Sequence, residues 1–206
     1  MMRDVLVVQT GTANIASVLA GLWRAGSRPV IDMDPERLAK ADRVVVPGVG
    51  ALAAAMSRLE REGLDEVLAH RIREGRPTLA ICLGLQLLCN GSEESPGVAG
   101  LGVIEADVQR FGGEVRVPQM GWNRVIPGSD CRYLRPGHAY FANSYRLVTV
   151  PDNWAASWSD HGGPFVAAAE RGDVVGCQFH PELSGTWGRD LLVRWLRGTG
   201  GGDLSC

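Results

Sequence analysis

Apolar residues fall along this chain in two rhythms. In the first half, short apolar runs alternate with stretches whose apolar positions recur every three or four residues. Val5–Val8 reads as a strand, Asn14–Ala25 as a helix with one apolar face, Arg28–Ile31 as a weak strand and Val44–Val46 as a stronger one. Ala51–Leu59 and Leu64–Arg73 carry helical spacing, each followed by a glycine-containing break, and Thr78–Ile81 is a buried strand. Strands and helices alternating in this order predict a parallel sheet with helices packed on it. Beyond Gly91 the rhythm changes. Between Leu101 and Gln178 come short β-like runs broken by Gly, Pro, Asn and Asp, which predict antiparallel strands packed at one side of the sheet. Val174–Phe179 is a firm strand and Arg189–Leu196 a closing helix. The expected organisation is a single α/β domain over residues 1–197, its central, mostly parallel sheet flanked by helices with an added antiparallel region. A flexible glycine-rich tail, residues 198–206, follows it.

Composition narrows the classes of function. Apolar residues make up 45% and charged residues 21% of the 206, which suits a globular domain with one core. The net charge of -2 and the dispersed arginines argue against a nucleic-acid or anionic-membrane partner. The N-terminal apolar run stops at Gln9, too short for a signal peptide, and no apolar segment approaches membrane-spanning length. Five cysteines, an odd number without CxxC spacing, point to reduced thiols in the cytoplasm rather than to a disulfide framework or zinc site. The reading calls for no metal and no cofactor.

Two segments carry chemistry. In Leu79-Ala80-Ile81-Cys82-Leu83-Gly84-Leu85-Gln86, a cysteine follows an apolar strand, has a small residue two places on, and opens a helix-forming stretch. That is the pattern of a nucleophile on a tight strand-to-helix turn. Gln178-Phe179-His180-Pro181-Glu182, after another strand, supplies an imidazole and a carboxylate two residues apart. In an extended segment residues two apart share a side, which would put Glu182 behind His180. His180 would then take the Cys82 thiol proton, return it to a leaving amine, and be oriented by Glu182. The helix starting behind Cys82 would favour the thiolate. The backbone N–H of Leu83 is one candidate oxyanion donor. A peptide of Pro47-Gly48-Val49-Gly50, at Val49 or Gly50, is the other, since glycines let an N–H turn inward without a Cβ clash. Each feature alone reads more simply as a buried cysteine, a turn or a loop. Cys89 and Cys177 are read as core residues. Their rivals fail too, because no Pro-Cys-x-x-Cys follows His180-x-Glu182 and Ala53 stands where a dinucleotide fingerprint needs its third glycine. The joint occurrence at successive strand ends favours acyl transfer.

With these residues the chain resembles the class I, triad-type glutamine amidotransferases over essentially its whole length. Within that superfamily it is most similar to the glutaminases that serve imidazole glycerol phosphate synthases. The narrower resemblance lies in Pro47-Gly48-Val49-Gly50, Gly91-Ser92-Glu93-Glu94-Ser95-Pro96-Gly97, Val117-Pro118-Gln119-Met120-Gly121-Trp122-Asn123 and Tyr140-Phe141-Ala142-Asn143-Ser144-Tyr145. The resemblance implies Cys82 as nucleophile with His180 and Glu182, and a glutamine pocket of Gln86, Glu94, Ser144 and Tyr145, helped by the Gly50 backbone. It implies L-glutamine as substrate and a cyclase (β/α)8-barrel subunit as partner in a heterodimer, met by Trp122 and Asn123. It also implies ammonia passed to that subunit within histidine biosynthesis. The chain departs from the family pattern at Ala80, Asn143, Leu183 (where lysine is usual) and Gln9-Thr10-Gly11-Thr12-Ala13-Asn14. Rival expectations are a glutaminase serving a different synthase, a non-catalytic subunit on the same fold, and a free-standing cysteine hydrolase.

Overall fold

The structure, a computed structural model, describes residues 2–11 and 14–198. The tail from residue 199 onward, and Thr12 and Ala13 of the N-terminal loop, lie outside the described residues. In chain order, β1 (Arg3–Val7), α1 (Ile15–Arg24), β2 (Ser27–Ile31), α2 (Pro35–Lys40), β3 (Val44–Gly48), α3 (Leu52–Arg61), α4 (Asp65–Arg73), β4 (Thr78–Cys82) and α5 (Leu83–Leu87) form the alternating half. There follow β5 (Cys89–Ser92), β6 (Ile104–Arg110), β7 (Gln119–Pro127), β8 (Gly137–Asn143), β9 (Tyr145–Leu147), β10 (Ala155–Asp160), β11 (Pro164–Arg171) and β12 (Val174–Cys177). A 3-10 turn (Pro181–Leu183) and α6 (Gly185–Arg197) close the described chain.

Nine strands make one mixed sheet in the order β2-β1-β3-β4-β12-β11-β10-β7-β8. From β2 to β12 neighbours run parallel, and from β12 to β8 antiparallel. The antiparallel strands thus extend the parallel sheet edge-on instead of packing at its side. Among the described residues, β5, β6 and β9 stand apart as a three-stranded sheet. Continuous apolar runs such as Val44-Val45-Val46 follow from the cover on both faces. Val44 and Val46 join the core shared with α3 and α4, and Val45 joins the core shared with α1 and α6.

Two helices differ from the sequence pattern, for local reasons. α2 spans only six residues, too short to show periodicity, and is started by Asp34, whose side chain accepts from the Arg37 N–H at 3.0 Å, with Pro35 behind it. α6 begins at Gly185, ahead of the expected Arg189. Gly188 sits so close to the 3-10 turn that a Cβ there would lie 2.1 Å from the Pro181 carbonyl oxygen, so this glycine is a packing contact and not a loop residue.

Buried Arg71 secures the far end of the strands that lead to the site. Its guanidinium donates to the carbonyls of Leu38, Ala41, Asp42 and Pro77 at 2.7–3.1 Å and to the Thr78 hydroxyl at 3.2 Å. At the other end, α5 lies against β3 with no side chain between them: a Cβ on Gly84 would stand 2.0 Å from the Val46 carbonyl oxygen. Gly84→Ala must therefore push α5 off β3. We expect it to destabilise the chain by about 1–3 kcal/mol, read as a lower urea midpoint. An unchanged midpoint would contradict the close packing.

Candidate active site

The carboxyl ends of β3, β4 and β12 lie side by side, with Gly48 registered against Cys82 and Cys177 against Ile81. Cys82 ends β4 and caps α5 in one residue, at φ 55° and ψ -107°. Among the described residues no other non-glycine residue has positive φ. Such a conformation costs on the order of 1–3 kcal/mol and persists only where its surroundings enforce it. Here β3 and β12 hold the strand and the Gly84 contact holds the helix. The turn is the elbow expected from the sequence, with Cys82 7% exposed. α5 is only five residues long, so its help to an anion comes from its first free N–H groups, Leu83 foremost, rather than from a long helix dipole.

His180 reaches Cys82 from the segment that leaves β12. Its backbone N–H donates to the Tyr140 carbonyl at 2.9 Å, which ties it to β8. Its Nδ1 donates to Glu182 Oε1 at 2.9 Å, and the ring also hydrogen-bonds the Cys82 side chain. Glu182 does not arrive by extended alternation, as the spacing suggested. Pro181–Leu183 is a 3-10 turn, in which the Leu183 N–H bonds to the His180 carbonyl, and the turn swings the carboxylate back behind the ring. α1 makes room for it: a Cβ on Gly21 would lie 2.8 Å from the Glu182 Cβ. Burial alone would lower the His180 pKa. The hydrogen bonds to Cys82 and Glu182 and their charges outweigh it and raise the pKa to about 10, so the ring is suited to hold a proton taken from Cys82. Burial acts unopposed on the other deeply buried thiols. It pushes Cys89 up to about 12 and Cys177 well above its ordinary value, which keeps both neutral, as befits core residues.

A cavity of about 170 Å³ opens at Cys82, lined by Val49, Gly50, Leu83, Gln86, Glu94, Ala142, Asn143, Ser144 and Tyr145. The structure therefore gathers all the residues expected for the oxyanion site and the ligand pocket around one thiol. Gly50 has φ 93°, a conformation open to glycine. Glu94 carries a buried Oε2 with no partner among the described residues. Burial raises its pKa, partly offset by a hydrogen bond from the Leu52 backbone. Asn143, noted in the sequence only as a departure, is a lining residue that the pattern missed. Its Nδ2 donates to the Tyr145 carbonyl at 2.9 Å, and its buried Oδ1 is likewise unpartnered. Gln86 lines the cavity while its Nε2 donates to Gln178 Oε1 at 3.0 Å.

Trp122 and Asn123 lie away from this cavity, on β7. Met120, Trp122 and Ile126 project from one face of the strand, 69%, 58% and 48% exposed, with exposed Arg124 between the last two. Trp122 packs edge-on against Tyr140, the residue whose carbonyl holds the His180 backbone. Asn123 faces elsewhere: its amide donates to the Asp160 carbonyl at 2.7 Å and accepts from the Arg124 N–H.

Residues 22–196 match the family described as glutamine amidotransferase class-I. The chain is 40% identical over 201 residues to "Imidazole glycerol phosphate synthase subunit HisH" of Escherichia coli K12, covering 94% of this chain and 98% of that one. Against the protein of the same name from Symbiobacterium thermophilum it is 37% identical over 200 residues, covering 95% and 94%. It is 41% identical over 199 residues to "Imidazole glycerol phosphate synthase hisHF, chloroplastic" of Arabidopsis thaliana; the match takes in 93% of this chain and only 34% of that longer protein. Among solved structures, a crystal structure of a glutamine amidotransferase superposes with a TM-score of 0.74 at 22% identity, over 94% of this chain and 97% of that one. Thermotoga maritima PurLQS gives 0.72 at 16%, over 96% and 98%; at such identities the likeness is one of fold.

Proposed function

We propose, on the premise that this chain belongs to the class I glutamine amidotransferase family, that it is the glutaminase subunit of an imidazole glycerol phosphate synthase, acting in histidine biosynthesis. The single observation that carries the reading is the cavity at Cys82, where a strained nucleophile, a hydrogen-bonded His180–Glu182 pair and a Glu94 carboxylate with one buried oxygen lacking a partner among the described residues converge. We assign the whole of residues 1–197 to one glutaminase domain. No helix among the described residues is long and apolar enough to cross a membrane. We place the reaction in the cytoplasm, where the free thiols at Cys82, Cys89, Cys131 and Cys177 would stay reduced.

In the proposed reaction, L-glutamine enters with its ammonium toward Glu94 and Asn143 Oδ1 and its side-chain amide over Cys82. The thiolate, formed as the proton passes to His180, attacks the amide carbon, and the oxyanion meets N–H groups of Leu83 and of the Val49–Gly50 segment. The carbon–nitrogen bond breaks as His180 returns its proton to the leaving ammonia. Water, deprotonated by His180, then cleaves the γ-glutamyl thioester to glutamate and restores the thiolate. Glu182 holds the ring with Nδ1 protonated, which keeps Nε2 for the transfers. Ammonia passes to a cyclase (β/α)8-barrel subunit, which adds it to a ribonucleotide and releases imidazole glycerol phosphate and an aminoimidazole carboxamide ribotide. The bare Met120–Trp122 face and the half-exposed Leu183 beside the triad turn suit an apolar dock for that subunit. Leu183 stands where the family usually has a lysine, so this contact is packed rather than salt-sensitive.

Glu94 supplies a test with a definite sign. Protonating it removes the anion that the substrate ammonium needs, and its carboxyl already titrates above the usual 4.5. The KM for glutamine should therefore rise as pH is lowered toward that range, with kcat little changed. Glu94→Gln should start from a higher KM and show no such dependence. A pH-independent KM in the native enzyme would remove Glu94 from the pocket.

Coupling to the partner is the second test. A peptide next to glycines can turn either its carbonyl or its N–H toward the oxyanion, and one missing donor costs roughly 10²–10³ in kcat. The chain alone should thus release glutamate slowly, and the complex with the cyclase barrel and its ribonucleotide should release it faster by about that factor. Cys82→Ala should bind the barrel equally well and release none. An isolated chain as fast as the liganded complex would mean a preformed oxyanion site. A barrel that neither binds nor stimulates the chain would point to a different synthase.

A further inference from the structure

Gln178 takes no part in the scheme above, yet it lies inside it. Its side chain is fully buried, and its backbone N–H donates to the Ala167 carbonyl at 2.8 Å, prolonging the β12–β11 pairing. Gln178 opens the bend that leads from β12 to His180. Its amide bridges two cavity residues. Oε1 accepts from Gln86 Nε2 at 3.0 Å, and Nε2 donates to Cys82 Sγ at 3.6 Å, an ordinary distance for an N–H···S bond.

The direction of this chain follows from chemistry. A thiol can give or receive a hydrogen bond, but a thiolate can only receive. Once Cys82 has lost its proton, the Gln178 amide must turn its NH2 to the sulfur, so its carbonyl faces Gln86. Gln86 must then answer with its own NH2. Turning either amide over would set lone pairs against each other.

We propose that Gln178 is a further catalytic residue, a hydrogen-bond donor to the Cys82 thiolate, and that Gln86 is the positioning residue that locks its orientation. The proposal rests on the reading of Cys82 as nucleophile. Gln178 exchanges no proton. It stabilises the sulfur anion when the thiol proton moves to His180, and again when water expels the thiolate from the thioester. A hydrogen bond to a charged partner shifts such an equilibrium by roughly ten- to a hundredfold. Nucleophilicity falls by only about half as much on the logarithmic scale, so the net effect on rate is a gain.

The test is alkylation of the full-length chain by iodoacetamide across pH, with the labelled peptide mapped, in the native chain, Gln178→Leu and Gln86→Leu. In Gln178→Leu the half-maximal pH for labelling Cys82 should move up by about one to two units. In Gln86→Leu, where Gln178 is free to turn, it should move in the same direction by less. Glutamine turnover by Gln178→Leu in the barrel complex should lose kcat more than it gains KM. A folded Gln178→Leu with the native labelling profile would overturn the proposal. Should that variant fail to fold, Gln86→Leu decides. A Gln86 that only touches substrate would raise KM and leave iodoacetamide labelling where it was, which would also overturn it. A Cys82 that iodoacetamide labels at no pH in the native chain would instead contradict the glutaminase reading itself.

Discussion

The approach of Gly84 to the Val46 carbonyl is the constraint on which the site depends. Because no Cβ separates them, α5 starts directly against β3, and the chain has one residue in which to turn from strand to helix. Cys82 is that residue, and its positive φ follows from the tight turn. The same closeness sets Gly48 against Cys82 and carries Val49 and Gly50 to the rim of the cavity. Cys82 and the candidate oxyanion strand are therefore placed by one backbone contact, anchored at its far end by the five hydrogen bonds of Arg71.

The rest of the site is brought up from the antiparallel half. β8 receives the His180 backbone at Tyr140, and Ser184 braces the same place, its hydroxyl donating to the His180 carbonyl at 2.6 Å and accepting from the Tyr140 N–H at 3.0 Å. Tyr140 in turn carries Trp122 on its outer side. The exposed apolar face and the histidine thus share a strand pair, so a partner seated on Trp122 would press on the element that holds His180. That physical continuity is one route by which docking and glutamine hydrolysis could be coupled.

Cys82, His180 and Glu182 are legible in the sequence as candidates because they follow the ends of apolar runs, where parallel strands deliver side chains to one edge. Gly48-Val49-Gly50 was legible for the same reason. What stayed hidden depended on partners distant in the chain. Gln178 reads as a polar residue that ends a strand; only the fold brings its amide between Gln86 and Cys82. Asn143 reads as a substitution until the cavity forms around it. The extension of the main sheet by β11, β10, β7 and β8 was illegible because a single strand's pattern does not name its neighbour. The spacing of His180 and Glu182 gave the right pair by the wrong geometry, since proline imposed a turn where alternation assumed an extended chain.

The central claim is that the cavity at Cys82 holds glutamine as a γ-glutamyl thioester. It is tested most directly by acid-quenching the barrel complex during turnover and mapping the acylated peptide by mass spectrometry. We expect a single γ-glutamyl group on the peptide that contains Cys82, absent when asparagine replaces glutamine. Glutamate released at the full rate with no acyl group on Cys82, or an acyl group on any other residue, would contradict the account.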